Sequence, residues 1–277
     1  MPLPAKSIEH GVRGLTAVAE VGVARAAVVI VGGHEAGAGV VVDPLVEHGP
    51  VLRAPSARKA LEATVRKALD NTDLPVCVVP MTLGRDPLLV ADTARTLTSL
   101  AGAAAAGRVM LAEPFGDAIL LAGWLRVAVS RAASRLGATD LAVLLTANPA
   151  NRFDDAELFR IAHLVRVQND LPWVEVAFRG GDPDVAQGVK RCEQLGARQV
   201  AVIPADFGPA TDTPVPEVVD GGPLLAPSVI SGMLATRIAR AMLKLSQGDD
   251  AVAAGLDADH GRGHGGEPRQ DPDSEVG

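Results

Sequence analysis

Tyrosine is absent from the chain, and only 3% of its 277 residues are aromatic. The interior must therefore be built from Val, Leu, Ile and Ala, the residues of closely packed helix and sheet layers, which favours an α/β arrangement over a β-sandwich. Cysteine is equally scarce. Cys77 and Cys192 lie far apart and form neither a Cys-x-x-Cys pair nor a disulfide framework. Each sits in an apolar run, the setting of a buried, inert thiol. No basic stretch is interleaved with aromatics, and the formal net charge is −7, so the electrostatic footprint of a nucleic-acid binder is missing. No apolar stretch is long enough to cross a bilayer without a charge. Glu9, Arg13, Glu20 and Arg25 interrupt every N-terminal candidate for a secretory leader, so a cytoplasmic protein without membrane association is expected.

What is abundant is aliphatic: 48% of the residues are hydrophobic, enough for a sizeable core in one large α/β unit or two smaller ones. Short apolar runs alternate with stretches of helical period, the pattern of a parallel sheet covered on both faces. Strands are expected at 27–32, 75–80, 108–113, 141–146, 173–178 and 199–204. Helices are expected at 57–69, 88–101, 116–136, 154–168, 183–195 and 228–245. From Gln247 onward the composition turns to Gly, Asp and Pro, which cannot repay the entropy of ordering, so 247–277 is expected to be a disordered tail. Residues 1–25 read as an N-terminal arm.

The chain repeats itself. "CVVPMTLG" at 77–84 matches "AVIPADFG" at 201–208, each a strand ending in proline followed by a hydrophobic–glycine pair. The helical run from Pro55 matches that from Pro183, "LAEPFGDAILLAGWLRVAVSR" from Leu111 matches "LLAPSVISGMLATRIAR" from Leu224, and "VVIVGGHEAG" matches "AVLLTANPAN". Four landmarks in one order predict two similar lobes of about 115 residues, 26–138 and 139–246, each a parallel sheet flanked by helices with a cleft between them. Ligands of such folds bind at the loops beyond the C-terminal strand ends.

"VVIVGGHEAGAG" at 28–39 is the most distinctive of those loops. A Walker loop would need Lys and then Ser or Thr where Ala38 and Gly39 stand, and the spacing of Gly32, Gly33, Gly37 and Gly39 does not fit a dinucleotide fingerprint. What remains is a strand-end loop that presents His34 and Glu35 to the cleft. His48 lies within reach of the same cleft or on a surface loop, whereas His10 and His163 read as structural. In the loops that follow, Arg85, Asp86 and Glu113 carry charge. Asp86-Pro87 has the form of a helix start, with the carboxylate stabilising the first turn. His260 and His264, beside Asp257 and Asp259 in the tail, have ligand chemistry but no rigid frame.

The order of parts over residues 26–245 resembles the sirohydrochlorin chelatases of the CbiX type, which share the class II chelatase fold. The likeness is fullest in "WVEVAFRGGDPDVAQGVKRCEQLGARQVAVIPADFG". It implies two α/β lobes, no organic cofactor, and Co²⁺ or Fe²⁺ inserted as substrate into a tetrapyrrole held in the inter-lobe cleft by a monomer or homodimer. By that resemblance His34 serves as metal ligand or base, Glu35 and Glu113 supply negative charge beside the cation, and Arg85, Arg179 and Asn148 contact the substrate. His34 stands in Gly-Gly-His-Glu where the family usually carries His-Gly-Ser-Arg. Asn148 of "TANPAN" takes the place of a second imidazole, and "LGRDPLLVAD" and "FGPATDTP" hold no histidine. Those replacements also fit an alternative: a non-catalytic protein of this fold that binds or delivers a metal or small anionic ligand.

Overall fold

The computed structural model describes residues 26–36, 51–56, 58–100, 107–137, 140–211 and 218–259. They form two four-stranded parallel sheets flanked by helices. The first sheet contains β1 (Ala27–Gly32), β2 (Val51–Pro55), β3 (Val76–Met81) and β4 (Val109–Leu111), with α1 (Arg58–Asn71), α2 (Pro87–Leu100) and α3 (Ala118–Leu136) from the same half of the sequence. The second half supplies β5 (Leu141–Ala147), α4 (Arg152–Gln168), β6 (Trp173–Phe178), α5 (Val185–Gln194), β7 (Gln199–Pro204), β8 (Val218–Asp220) and α6 (Pro227–Ser246), and the described chain closes with α7 (Val252–Leu256). Strand order is β2-β1-β3-β4 in one sheet and β6-β5-β7-β8 in the other, so the repeat seen in the letters is a repeat of topology.

The central strands are the apolar runs. β1, β3, β5 and β7 are buried almost throughout, as strands covered on both faces must be. β2 and β8 have no counterpart among the expected strands: both are short edge strands, only partly buried, and carry Arg53 and Asp220, so neither has an apolar run. Helix ends are set by local chemistry. Asp117 accepts from Leu120 N at the start of α3, which Gly137 terminates in the left-handed region at φ 61°. Asn151 caps α4, and Asp184 with Gln187 forms a reciprocal capping box on α5.

The two sheets divide at the sequence boundary, but the long helices do not. α3, from the first half, packs on α4 and β7 of the second, and α6, from the second half, packs on β3 and β4 of the first. Arg131 on α3 donates to Pro223 O at 2.5 Å and Arg135 to Asp220 O; Arg237 on α6 donates to Glu113 at 2.6 Å. Leu121, Leu125 and Val129 of α3 and Leu234 and Ile238 of α6 are fully buried in one core that spans both sheets. Each such side chain contributes about 1.5–3 kcal/mol, so the exchange of helices welds the halves together.

The composition from Gln247 onward predicts a disordered tail, yet the described residues continue as turn and helix to Asp259. Leu111 N donates to Asp250 O at 2.9 Å, Arg95 pairs with Asp259 at 2.8 Å, and Gly255 packs on Leu111 and Ala94. Glycine lets this short, Asp-rich segment lie flat on α2 and β4, and Val252 and Leu256 bury their side chains there; composition does not register so local an anchor. Residues 1–25 and 260–277 lie outside the described residues, as do His10, His48, His260 and His264.

Candidate functional site

In a sheet ordered β2-β1-β3-β4 the chain leaves β1 toward β2 on one side while β3 lies on the other, the switch point at which parallel sheets commonly form a ligand crevice. The described part of the loop after β1 is 33–36, and the loop after β3 is 82–86. His34 Nδ1 lies 3.0 Å from Asp86 Oδ2, while Asp86 Oδ1 accepts from Leu89 N at 3.0 Å and caps α2. One carboxylate therefore does two jobs. A Cβ on Gly33 would sit 2.1 Å from Asp86 Oδ2, so the glycines of this loop frame neither a phosphate cradle nor a free turn: Gly33 makes room for the carboxylate that holds the imidazole.

Burial opposes charge on His34, but the hydrogen bond and field of Asp86, helped by Glu35, outweigh it and raise the imidazole pKa above 6.5. On Asp86 burial acts upward, and the His34 hydrogen bond and charge prevail to lower its carboxyl below the ordinary value. Nδ1 is committed to Asp86, whereas Nε2 is buried and has no hydrogen-bond partner among the described residues. The neutral ring thus offers its Nε2 lone pair as ligand or proton acceptor.

Glu35 is fully buried. Its Oε2 accepts from Leu83 N at 2.9 Å, from Arg85 N at 3.3 Å and from the Thr82 hydroxyl, while Oε1 has no partner among the described residues. Burial pushes its pKa up, against the pull of Arg85 and the Thr82 hydroxyl. A carboxyl so placed can hold a proton beside the imidazole.

The second lobe meets this crevice with its own strand ends. The Asp206 carboxylate accepts from Asn148 N at 2.7 Å, from Gly208 N at 2.9 Å and from Arg179 Nη2. Arg179 also donates to Asn148 Oδ1 at 2.9 Å and to Pro209 O at 2.7 Å. Asn148 Nδ2 then donates to His34 O at 2.8 Å, and Phe207 N to Glu35 O at 2.9 Å, so the second lobe grips the backbone of both residues. Arg85 crosses the seam the other way, donating to Asp155 Oδ1 at 3.0 Å, Asn148 O at 3.3 Å and Asp154 O at 3.4 Å.

Of the residues singled out in the sequence, His34 is partly exposed beside Asp86, whereas Glu35, expected to face the cleft, is fully buried under the loop that follows β3. Arg85 is fully buried and Arg179 nearly so, and the contacts of both guanidinium groups run to the protein itself. With Asn148 they tie the lobes together. Glu113 belongs to another cluster, bound by Arg237, Arg240 and Lys244 of α6, whose charges hold its pKa low against the effect of burial. Among the described residues no group of three or more His, Cys, Asp or Glu is arranged to hold a metal ion. His163 is exposed on α4, and the thiols of Cys77 and Cys192 are buried and pushed up to about 12 by that burial. Among the described residues no helix is long and apolar enough to cross a membrane.

Thr82, Asp155 and Asp206 are site residues that the sequence pattern does not single out. For Asp206 a signal exists: in the paired "CVVPMTLG" and "AVIPADFG" it occupies the position of Thr82, so the two buried positions just beyond β3 and β7 correspond. Nothing comparable marks Asp155, which is recruited by the packing of α4 against the first lobe.

No family model matches the chain, and no curated protein matches it. Among solved structures it is similar to a multi-domain protein from Deinococcus radiodurans described as structurally similar to chelatases with two additional novel domains, at 18% identity and TM-score 0.41, covering 77% of this chain and 54% of that one. The chain thus spans about half the length of that protein. It is also similar to the sirohydrochlorin chelatase SirB from Bacillus subtilis subspecies spizizenii in complex with cobalt, at 15% identity and TM-score 0.45, covering 82% and 98%. A third likeness is to an ABC transporter solute-binding protein from Conexibacter woesei, at 14% identity and TM-score 0.45, covering 80% and 81%.

Proposed function

We propose that this chain is a chelatase-like cytoplasmic protein that handles Co²⁺ or Fe²⁺ and a tetrapyrrole at the crevice between its lobes. The observation that carries the reading is the His34–Asp86 pair, at 3.0 Å, with Nε2 uncommitted. Metal insertion requires that pyrrole N–H protons leave as the cation enters. A neutral imidazole oriented by a carboxylate takes a proton or ligates the cation in passing, and Glu35 beside it is a second proton holder. The metal and the ring are substrates, and no organic cofactor is invoked. The doubled topology and the resemblance in the order of parts support the same reading.

A second reading, binding or delivery of a divalent metal or small anion without turnover, is favoured by Asn148, which stands where a second imidazole would serve and is spent on Arg179 and His34 O. A metal-insertion assay with sirohydrochlorin and Co²⁺ or Fe²⁺, comparing the native chain with His34→Ala, separates the readings. Turnover lost in the variant supports insertion; equal rates in both, or none in either, removes the catalytic reading. Calorimetric binding of Co²⁺ and Ni²⁺ that His34→Ala abolishes, without turnover, supports the second.

A further inference from the structure

The loop 82–86 is the point around which three helices begin. It runs directly into Pro87 and Leu88 of α2. Gly84 has φ 101°, and a Cβ there would stand 2.5 Å from Ala118 N and 2.7 Å from Asp117 C, so the start of α3 lies against it. Arg85 reaches the start of α4, its Nη2 3.0 Å from Asp155 Oδ1 and its Nε 3.4 Å from Asp154 O. Asp86 caps α2 and lies 3.0 Å from His34. The three helix starts therefore gather beside the imidazole, at the carboxyl end of the strands where parallel sheets hold their ligands.

Each start carries an exposed apolar side chain at its second residue. Leu88 of α2 is 42% exposed, Ile119 of α3 84% and Phe153 of α4 52%. Among the described residues Ile119 is the most exposed large hydrophobic side chain and Phe153 the most exposed aromatic one. The helix starts themselves are served by their caps, Asp86, Asp117 and Asn151, so neither burial nor capping accounts for the three apolar groups. One cation joins them: the Arg152 guanidinium lies over the Phe153 ring, 5.0 Å from its centroid, with no acidic partner among the described residues. The acids nearby are otherwise engaged, Asp86 with His34, Asp155 with Arg85 and Ala150 N, and the buried Asp154 with Asn151. Asp117, the exposed acid, stands on the far side with Ile119 and caps α3.

We propose that Leu88, Ile119 and Phe153 form the platform on which the flat face of a tetrapyrrole rests, with a carboxylate of the ring edge meeting Arg152 on the α4 side, away from Asp117. The assignment rests on the tetrapyrrole reading above and adds to it the surface that selects a planar macrocycle. Uroporphyrin, a planar tetrapyrrole with carboxylates around its rim, probes the platform without metal, by fluorescence titration of the full chain. Saturable binding is expected. Phe153→Ala weakens it about tenfold through loss of ring stacking and contact area, while Phe153→Trp binds at least as tightly as the native chain. Leu88→Ser/Ile119→Ser also weakens it about tenfold, and Arg152→Gln by about fivefold, with a flatter dependence on salt. All four side chains are exposed, so circular dichroism and the thermal midpoint stay native in each variant. Saturable uroporphyrin binding that every variant retains at native affinity overturns the platform and leaves the tetrapyrrole reading standing. Absence of saturable binding by the native chain overturns both. Sedimentation that shows a native dimer dissociated by Phe153→Ala or Leu88→Ser/Ile119→Ser, with uroporphyrin affinity unchanged, also overturns the platform, and makes this face an interface between copies of the chain.

Discussion

Replacement of Gly33 by alanine tests the central geometric claim, that this glycine exists to admit a carboxylate. The new Cβ would lie 2.1 Å from Asp86 Oδ2 and 3.2 Å from Leu89 Cδ2. The leucine end can shift; the carboxylate cannot move without giving up His34 or the α2 cap, since its two oxygens serve both. Loss of a helix cap costs about 1 kcal/mol. Loss of a partly buried imidazole–carboxylate pair costs about 1 kcal/mol more, below the full value of a charged hydrogen bond because water reaches it. Gly33→Ala should therefore destabilise the chain by about 2 kcal/mol, close to the cost of Asp86→Ala itself. In the Asp86→Ala background the obstacle is gone, and Gly33→Ala should be neutral or stabilising by about 0.5 kcal/mol through the unfolded state, because Gly33 is not in the left-handed region. Urea unfolding of the four chains measures this as a double-mutant cycle with a coupling of about 2 kcal/mol. A Gly33→Ala cost that is the same in both backgrounds would show that the carboxylate is not what the glycine accommodates.

Three further outcomes follow from contacts already described. Arg179→Ala leaves the Asp206 carboxylate, whose side chain is 0% exposed, without its cation; chemical denaturation should register a loss of about 3–5 kcal/mol, largely recovered in Arg179→Met/Asp206→Asn, and a loss under about 1 kcal/mol contradicts the role of the clasp. The pH dependence of the His34–Asp86 pair has a definite sign. His34, raised in the fold, contributes fully below 6.5 and loses that contribution as pH rises through its raised value, while Asp86, lowered in the fold, contributes above 3.8 and loses it as pH falls through its lowered value. The stability difference between the native chain and His34→Gln should therefore peak between those limits and shrink on the alkaline side; a difference that keeps growing as pH rises above 6.5 refutes the assignment. Gly255→Ala places a Cβ 2.3 Å from Leu111 Cδ2, which should cost about 1–3 kcal/mol and expose the segment beyond Gln247 to limited proteolysis; unchanged protease resistance would mean α7 is not held as described.

About half of the candidate site is legible in the amino-acid sequence. His34 and Glu35 stand out because a glycine cluster at a strand end is a local signal, and Asp86 reads as a cap because capping is decided within one turn of helix. That the capping carboxylate also holds the histidine depends on β1 and β3 being neighbours, which no local pattern states. The arginines are less legible. Isolated cations in cleft loops invite the role of clamps for an anionic ligand, yet Arg85 and Arg179 find their partners Asp155 and Asp206 in distant segments, at separations of 70 and 27 residues.

The letters alone determined the period of the chain: aliphatic runs of strand length, amphipathic stretches between them and two matching halves, because hydrophobic spacing and turn chemistry act over a few residues. Tertiary structure decided the rest. An apolar stripe on α3 or α6 requires burial but does not say against which sheet, and only packing sent each to the opposite lobe. The same packing brought the second lobe's Asn148 and Phe207 onto the backbone of His34 and Glu35. Which charges end as ligand contacts and which as ties between lobes is a matter of distance in space, and distance in space is what spacing along the chain does not encode.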